Sequence, residues 1–370
     1  MISNRTAYGL LPLLLLAACL PADANVPMQG DLVMGLDNSD GLRTLELVRG
    51  DVVPSGGAAV PDFWDTPWMA SVAFDNYGGV QHNARGNLLG VDFGASGGTG
   101  SIYSFSTLDP TVSMGERIGD TIGLGGSNLT FTTRLTSLVV SPDNSKVAVQ
   151  GYDAGTAIVY DYQAGNRRGG GASLSGARDT QPILVPTDTN GLAWLDNTTL
   201  AALGSDGTLW SIDSDTMTSQ VETFIDVMPI GGDNTTLLYN PEISPMMFAG
   251  YSGFNGIAPE SRLFVIDPND FSLVHQVDLS LSGESLRDMA FDAAGNLFYS
   301  TFGSDIEVIV GAADDPLAIG DNSSVDWYTS PTFASFPRLD IGLAVPEPGS
   351  RLGALLMLIM LVRLCGRSPL

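Results

Sequence analysis

Cysteine is almost missing from this chain. Its 370 residues include two, Cys19 and Cys365, one near each end. Removal of both ends would leave a mature protein with no disulfide framework and no thiol nucleophile; a chain of this size can bury a core without cross-links. Histidine is as scarce, with His82 in the insert NYGGVQHNARGN and His275 in the alternating stretch FSLVHQVDL. A Ser-His-Asp site or an imidazole-rich metal site needs these side chains beside each other or beside a nucleophile. Their spacing supports neither, so the two are read as a loop and a strand residue. Positive charge is the third shortage. Sixteen Lys and Arg stand against 41 Asp and Glu, for a net charge of −25. With no basic patch, electrostatic capture of nucleic-acid phosphates is disfavoured and no nucleic-acid partner is expected. No H-E-x-x-H, P-loop or G-x-S-x-G motif stands out either.

Turn-forming residues are abundant instead. Forty-four Gly and 21 Pro, with many Asp, Asn, Ser and Thr, separate short apolar runs. That is the composition of many tight turns joining short strands.

Both ends read as addresses. The start, MISNRTAYGLLPLLLLAACLPADANV, has one early charge (Arg5) and an apolar core from Leu10 to Leu16. A small-residue site at Ala22-Asp23-Ala24 follows, the pattern of a secretory signal peptide cut after Ala24. Leu16-Ala17-Ala18-Cys19 offers a competing lipoprotein-type cut at Cys19. At the other end VPEPGSRLGALLMLIMLVRLCGRSPL joins a Pro-Glu-Pro, an apolar run from Leu352 to Val362 and two arginines. The run is short for a full membrane span, although flanking arginines can snorkel and a bilayer can thin. Basic residues beyond it favour a cytoplasmic C-terminus with the bulk of the chain outside.

This ending resembles the PEP-CTERM sorting signal of Gram-negative bacteria. Val345, Pro346, Glu347 and Pro348 match its motif, and Arg363 and Arg367 its basic finish. The resemblance covers the last 26 residues and departs from the pattern at Arg351, in the short helix and in the thin basic cluster. It implies an exosortase-type processing protease, transient contact with the inner membrane through the tail, and association with exopolysaccharide. It implies nothing about the fold ahead of it.

The body repeats. LVVSPDNSKVAVQGYDAGTAIVYDY from Leu138, LAWLDNTTLAALGSDGTLWSID from Leu192 and MAFDAAGNLFYSTFGSDIEVIV from Met289 share one plan. Each reads strand, Asp-containing turn, strand, Gly/Asp turn, strand. MASVAFDNYGGVQHNARGNLLGVDF from Met69 repeats it with a lengthened first turn. Asp51, Asp109, Asp161, Asp213 and Asp267 mark a period of 58, 52, 52 and 54 residues, and a sixth unit ends near Gly311. A period near 50 built of short strands points to a β-propeller of four-stranded blades. The segments before Asp51 and after Gly311 are each half a unit, so the N-terminal strands are expected to pair with C-terminal ones in a composite blade. That closes a ring of six blades; seven is the alternative, because the 52–109 unit is overlong. The repeats resemble the YVTN/WD-like propeller superfamily, most clearly in SPDNSKVAV (Ser141 to Val149). The expected organisation is therefore a signal peptide over 1–24, an all-β propeller over 25–344 and a sorting tail with a short hydrophobic helix over 345–370.

Chemistry is thinly signalled. Asp75, Asp143, Asp196 and Asp292 fall at hairpin turns, where Asp bonds nearby backbone N–H groups. DNSDG places Asp37, Asn38 and Asp40 on a tight turn with the oxygen ligands calcium prefers, though ordinary turns are built the same way. Trp64 and Trp68 in PDFWDTPW are candidates for stacking on a sugar. Arg167 and Arg168, with Arg178 in GNRRGGGASLSGARD, are candidates for an anionic polysaccharide, against the plainer reading of a flexible inter-blade loop. The expectation is an exported surface or matrix propeller with a binding or structural role. A calcium-dependent propeller hydrolase or lactonase-like enzyme is one alternative, and a protein-interaction scaffold with an exposed apolar patch the other.

Overall fold

In the computed structural model the described residues are 32–37, 43–51, 56–60, 69–74, 88–92, 100–105, 116–120, 135–151, 155–164, 172–180, 191–226, 234–253, 261–279, 285–303, 305–330 and 338–341. They form 24 strands and one 3-10 turn at Pro316–Ala318. The strands assemble into six four-stranded sheets. Five use consecutive strands: β4 (Met69–Phe74), β5 (Leu88–Asp92), β6 (Ser101–Phe105) and β7 (Glu116–Asp120); β8 (Leu135–Val140), β9 (Lys146–Gly151), β10 (Thr156–Gln163) and β11 (Ser173–Asp179); β12 (Leu192–Trp194), β13 (Thr199–Leu203), β14 (Thr208–Asp213) and β15 (Ser219–Phe224); β16 (Asn234–Leu238), β17 (Met247–Ser252), β18 (Ser261–Ile266) and β19 (Leu273–Leu279); β20 (Leu286–Phe291), β21 (Leu297–Thr301), β22 (Asp305–Ile309) and β23 (Val325–Thr329). The sixth is composite. Its order is β24 (Arg338–Ile341), β1 (Leu32–Asp37), β2 (Arg43–Asp51), β3 (Gly56–Val60), with Leu32 opposite Ile341 and Gly35 opposite Arg338.

The expected pairing of N- and C-terminal strands is thus present, with one C-terminal strand and three N-terminal ones. The first strands β4, β8, β12, β16, β20 and β24 each touch the first strands of both neighbouring sheets, and β24 touches β4. This is the architecture of a β-propeller.

Alternation of apolar and polar residues is weaker than a one-faced sheet would require, because each sheet packs on both sides. Every residue of β9, β17 and β20 is buried, whereas the outermost strand β15 has no buried residue. Five inter-sheet cores are described. Leu138, Val149 and Tyr160 pack against Leu89 and Ile102; on the opposite face of the same sheet, Ala148 and Val159 meet Trp194 and Ile212. Tyr251 and Phe264 pack on Leu203, Phe248 meets Phe291, and Phe298 meets Trp327 beside Met34 and Val48. The last two aromatic pairs are edge-to-face, with centroids 5.2 and 4.9 Å apart.

Turn chemistry follows the sequence reading at Asp143, Asp196 and Asp292, while Asp75 lies outside the described residues. Asp143 Oδ1 accepts from the Ser145 N–H and from the Ser141 and Ser145 hydroxyls. Asp196 Oδ1 accepts from the N–H groups of Thr198 and Thr199, and Asp292 Oδ1 from those of Ala294 and Asn296. Asp213 and Asp267 open matching six-residue turns into the fourth strand. In each, the residue four positions on (Met217, Phe271) has φ near +57° and donates its N–H to the aspartate carbonyl.

One expectation is corrected. The stretch taken as a loop from Gly165 to Asp179 ends in a strand, β11, over Ser173–Asp179. Leu174 turns inward onto the core, and Arg178 Nη2 pairs with Asp161 Oδ1 at 2.8 Å on the adjacent strand. Glycine density hid a fourth strand whose outer face is polar. The 52–109 unit is not overlong in strands: β2 and β6 end 54 residues apart, at Asp51 and Phe105, and Asp109 lies four residues beyond β6, outside the described residues.

Candidate functional site at the inner ring

The six inner strands read MASVAF, LTSLVV, LAW, NTTLL, LRDMAF and RLDI in chain order. Four carry no charge. All four charges of the inner strands, Arg287, Asp288, Arg338 and Asp340, fall on β20 and β24, which are neighbours in the ring. These two adjacent strands carry two arginines and two aspartates in a chain with far more acidic than basic residues.

Hydrogen bonds between sheets show that neighbouring inner strands run the same way. Trp194 Nε1 donates to Val139 O at 3.2 Å, Ser252 Oγ to Leu286 O at 2.9 Å, and Thr236 Oγ1 to Asp288 Oδ1 at 3.2 Å. The first residues of β16 and β20 therefore share a rim. Polar residues cluster toward the start of these strands (Thr136 and Ser137, Thr235 and Thr236, Arg287 and Asp288), and apolar ones toward their end.

A β-bulge sets the second residue of three inner strands. Ala70, Thr136 and Arg287 are each skipped in the register with the second strand. Bulges re-aim a side chain and are over-represented beside functional sites. The position repeats, which speaks for propeller architecture, but a charged residue occupies it in β20 alone. Arg287 is 1% exposed, and its guanidinium carbon lies 5.3 Å from the centroid of the Phe302 ring. Asp288 is buried beside it and accepts from Thr236 Oγ1 and, at 2.9 Å, from the Met289 N–H. Ser285 Oγ fixes the entry to the strand by donating to Gly253 O at 2.8 Å.

Most residues singled out from the sequence lie outside the described residues: Ala22, Ala24, Asn38, Asp40, Trp64, Trp68, His82, Arg167, Arg168, Val345, Pro346, Glu347, Pro348, Arg363 and Arg367. Asp37 ends β1 opposite Arg43 in β2, so DNSDG spans a hairpin connection. His275 is a strand residue, in β19, and its Nε2 lies 2.8 Å from Ile319 O. It helps bind the 316–322 segment over the edge of β19, where the Asn322 N–H also donates to Asp278 O. Among the described residues, no group of three or more His, Cys, Asp or Glu is placed to hold a metal ion. Among them too, no helix is long and apolar enough to cross a membrane.

Sequence reasoning missed Arg287 and Asp288. Their signal was present, as a charged pair inside the otherwise apolar repeat that begins LRDMAF, but charge in a strand start reads first as a solvated end.

No protein-family profile matches the chain, and no curated protein does. Solved structures do resemble it. A crystal structure of a candidate 6-phosphogluconolactonase from Bacteroides fragilis superposes with a TM-score of 0.53 at 10% identity, over 84% of this chain and 97% of that one. The β-propeller domain of Myceliophteria thermophila Cps50 gives a TM-score of 0.40 at 15% identity, over 65% of each chain. The first of these likenesses, at 10% identity, shows the fold alone. By fold, then, the chain is a β-propeller.

Proposed function

We propose that the chain is an exported six-bladed β-propeller that binds or organises material at the surface or in the extracellular matrix of a Gram-negative-type bacterium. The observation that carries the reading is the tail, where Val345 to Pro348, the apolar run and Arg363 with Arg367 follow a propeller body. The six sheets and the closed circuit of inner-strand contacts support six blades over seven. Residues 1–24 act as the export signal, 25–344 as the body and 345–370 as the sorting tail, processed by an exosortase-type protease. Trp64 and Trp68, between β3 and β4, and Arg167 and Arg168, between β10 and β11, are the candidates for contact with exopolysaccharide. In a host with the sorting protease, Pro346→Ala with Glu347→Ala keeps the tail on and abolishes surface display. Unchanged display of that variant overturns the reading.

A second reading is a hydrolase of the lactonase type, dependent on calcium. It is favoured by the concentration of the inner strands' charged residues on the adjacent strands β20 and β24 and by the name of the Bacteroides fragilis neighbour. Calcium-dependent turnover of a sugar lactone by the purified chain, lost on chelation, would establish it; lack of turnover leaves the binding role.

A further inference from the structure

We propose that the open edge of β15 is a docking site for an extended peptide segment in which basic and apolar residues alternate, added to the sheet as a fifth strand. The inference concerns a protein partner, beyond the role proposed above, and stands whether or not the chain is exported.

Outer strands differ in how well they are covered. Leu174 of β11, Val277 of β19 and Trp327 of β23 turn inward and are buried, but no residue of β15 is. The edge of β19 is also covered by the 316–322 segment: Ile319 O meets His275, and Asp321 Oδ1 accepts from the Asp278 N–H at 2.9 Å. Among the described residues β15 pairs with β14 alone. An uncovered edge offers its backbone N–H and C=O groups to an added strand. The side chains fit that use. Val221 and Phe224 are 51% and 61% exposed. They stand opposite Trp210 and Thr208, two positions apart on β14, because the register skips Glu222. The bulge therefore sets both on one face of the sheet, as an apolar ledge that every second residue of an added strand would extend.

Charge selects the occupant. The sheet spanning residues 191–226 carries Asp196, Asp206, Asp213, Asp215, Glu222 and Asp226, and no Lys, Arg or His. Lys146 of the adjoining sheet reaches Asp215 at 2.8 Å, and the balance stays strongly negative. The acids flank the edge. Asp213 and Asp215 sit in the turn that enters β15, where the Asp213 N–H donates to Thr218 O. Asp206 sits in the hairpin that meets its exit, where the Ile225 N–H donates to Gly207 O at 2.8 Å. Glu222, which accepts from the Ser211 hydroxyl, lies between. A second copy placed edge to edge would set two such sheets against each other, like charge facing like. A basic strand gains the attraction that this pairing lacks.

The test is fluorescence anisotropy of labelled heptapeptides titrated with the full chain: alternating lysine and valine, alternating glutamate and valine, and alternating lysine and serine. The lysine–valine peptide is expected to bind at least about tenfold more tightly than either of the others. Val221→Ser with Phe224→Ser removes the ledge at two exposed positions and is expected to weaken that peptide about tenfold or more. Amide exchange of residues 219–224 is expected to slow when the peptide is added to the unmodified chain, a readout that holds even if the double variant does not fold. Absence of lysine–valine binding overturns the inference. So does equal binding of the lysine–serine peptide, or an unchanged affinity in the folded double variant, since either makes the contact one of charge alone. Exchange protection confined to other strands overturns it too. A dimer of the unmodified chain in sedimentation, lost in the double variant, would overturn it in favour of a second copy at this edge.

Discussion

Replacing Lys146 by methionine separates a structural staple from a decorative surface charge. Lys146 opens β9, yet its ammonium reaches the next sheet. It donates to Ser214 Oγ at 2.8 Å, to Asp215 Oδ1 at 2.8 Å and to the Asn197 carbonyl at 3.2 Å, which uses all three of its donors. The Lys146 side chain is 11% exposed and that of Asp215 is 62% exposed. The two halves of the interaction therefore count differently. The exposed pair with Asp215 contributes at most about 1 kcal/mol. The bonds to the buried Ser214 hydroxyl and to Asn197 contribute more, because methionine fills the aliphatic volume and leaves those acceptors without a donor, at about 1 kcal/mol or more between them. Relief of the lysine's own desolvation offsets part of this. The net expectation is a loss of about 2 kcal/mol, or about 3–5 °C in melting temperature. Asp215→Asn should cost about half as much or less and respond to salt. Circular-dichroism melts and denaturant titrations of both variants and of the double variant give the coupling directly. A neutral or stabilising Lys146→Met would refute the reasoning, and so would an Asp215→Asn as damaging as the lysine change.

Two further outcomes follow from the same structure. A Cβ at Gly250 would collide with Leu286 Cδ2 and sit 2.8 Å from Thr236 Cγ2, so Gly250→Ala should separate β17 from β20 and cost about 1–3 kcal/mol in denaturant titrations; wild-type stability would show that the two sheets do not approach so closely. The Asp213 carboxyl is held below its ordinary value of 3.8, chiefly because the Thr216 N–H and then the Thr216 hydroxyl donate to it. A depressed carboxylate stabilises the fold above its unfolded pKa, about 3.9, and loses that effect as pH falls through the folded value, so the contribution fades only below about pH 4. Carbon-detected NMR titration should place Asp213 below an unperturbed aspartate, and a value at or above it would contradict the turn geometry.

The blade plan was legible because turns punctuate it. Asp51, Asp161, Asp213 and Asp267 fall in or directly after the third strand of a sheet and Gly311 falls two residues beyond β22, whereas Asp109 lies four residues past β6, so the aspartate spacing gave the period but not every strand end. The composite sheet followed from counting half-units. Outer strands were harder to see. Their burial patterns are irregular, and five of the six carry a register shift against the third strand, which breaks period-2 alternation. Thus SLSGARD read as a loop although Leu174 and Arg178 anchor it. The seam was illegible for a different reason. Arg287 and Arg338 stand about 50 residues apart in sequence, and nothing local says that β24 lies beside β20. Ring closure brings them together, and closure is a property of the whole chain.

The central claim is that a propeller body is exported and then cut free of its tail. The most direct test is the intact mass of the protein recovered from its native host, measured separately for cell envelope and medium. The account predicts a chain that begins near Asn25 and ends near Pro348. A tail still complete through Leu370 in every fraction would contradict it.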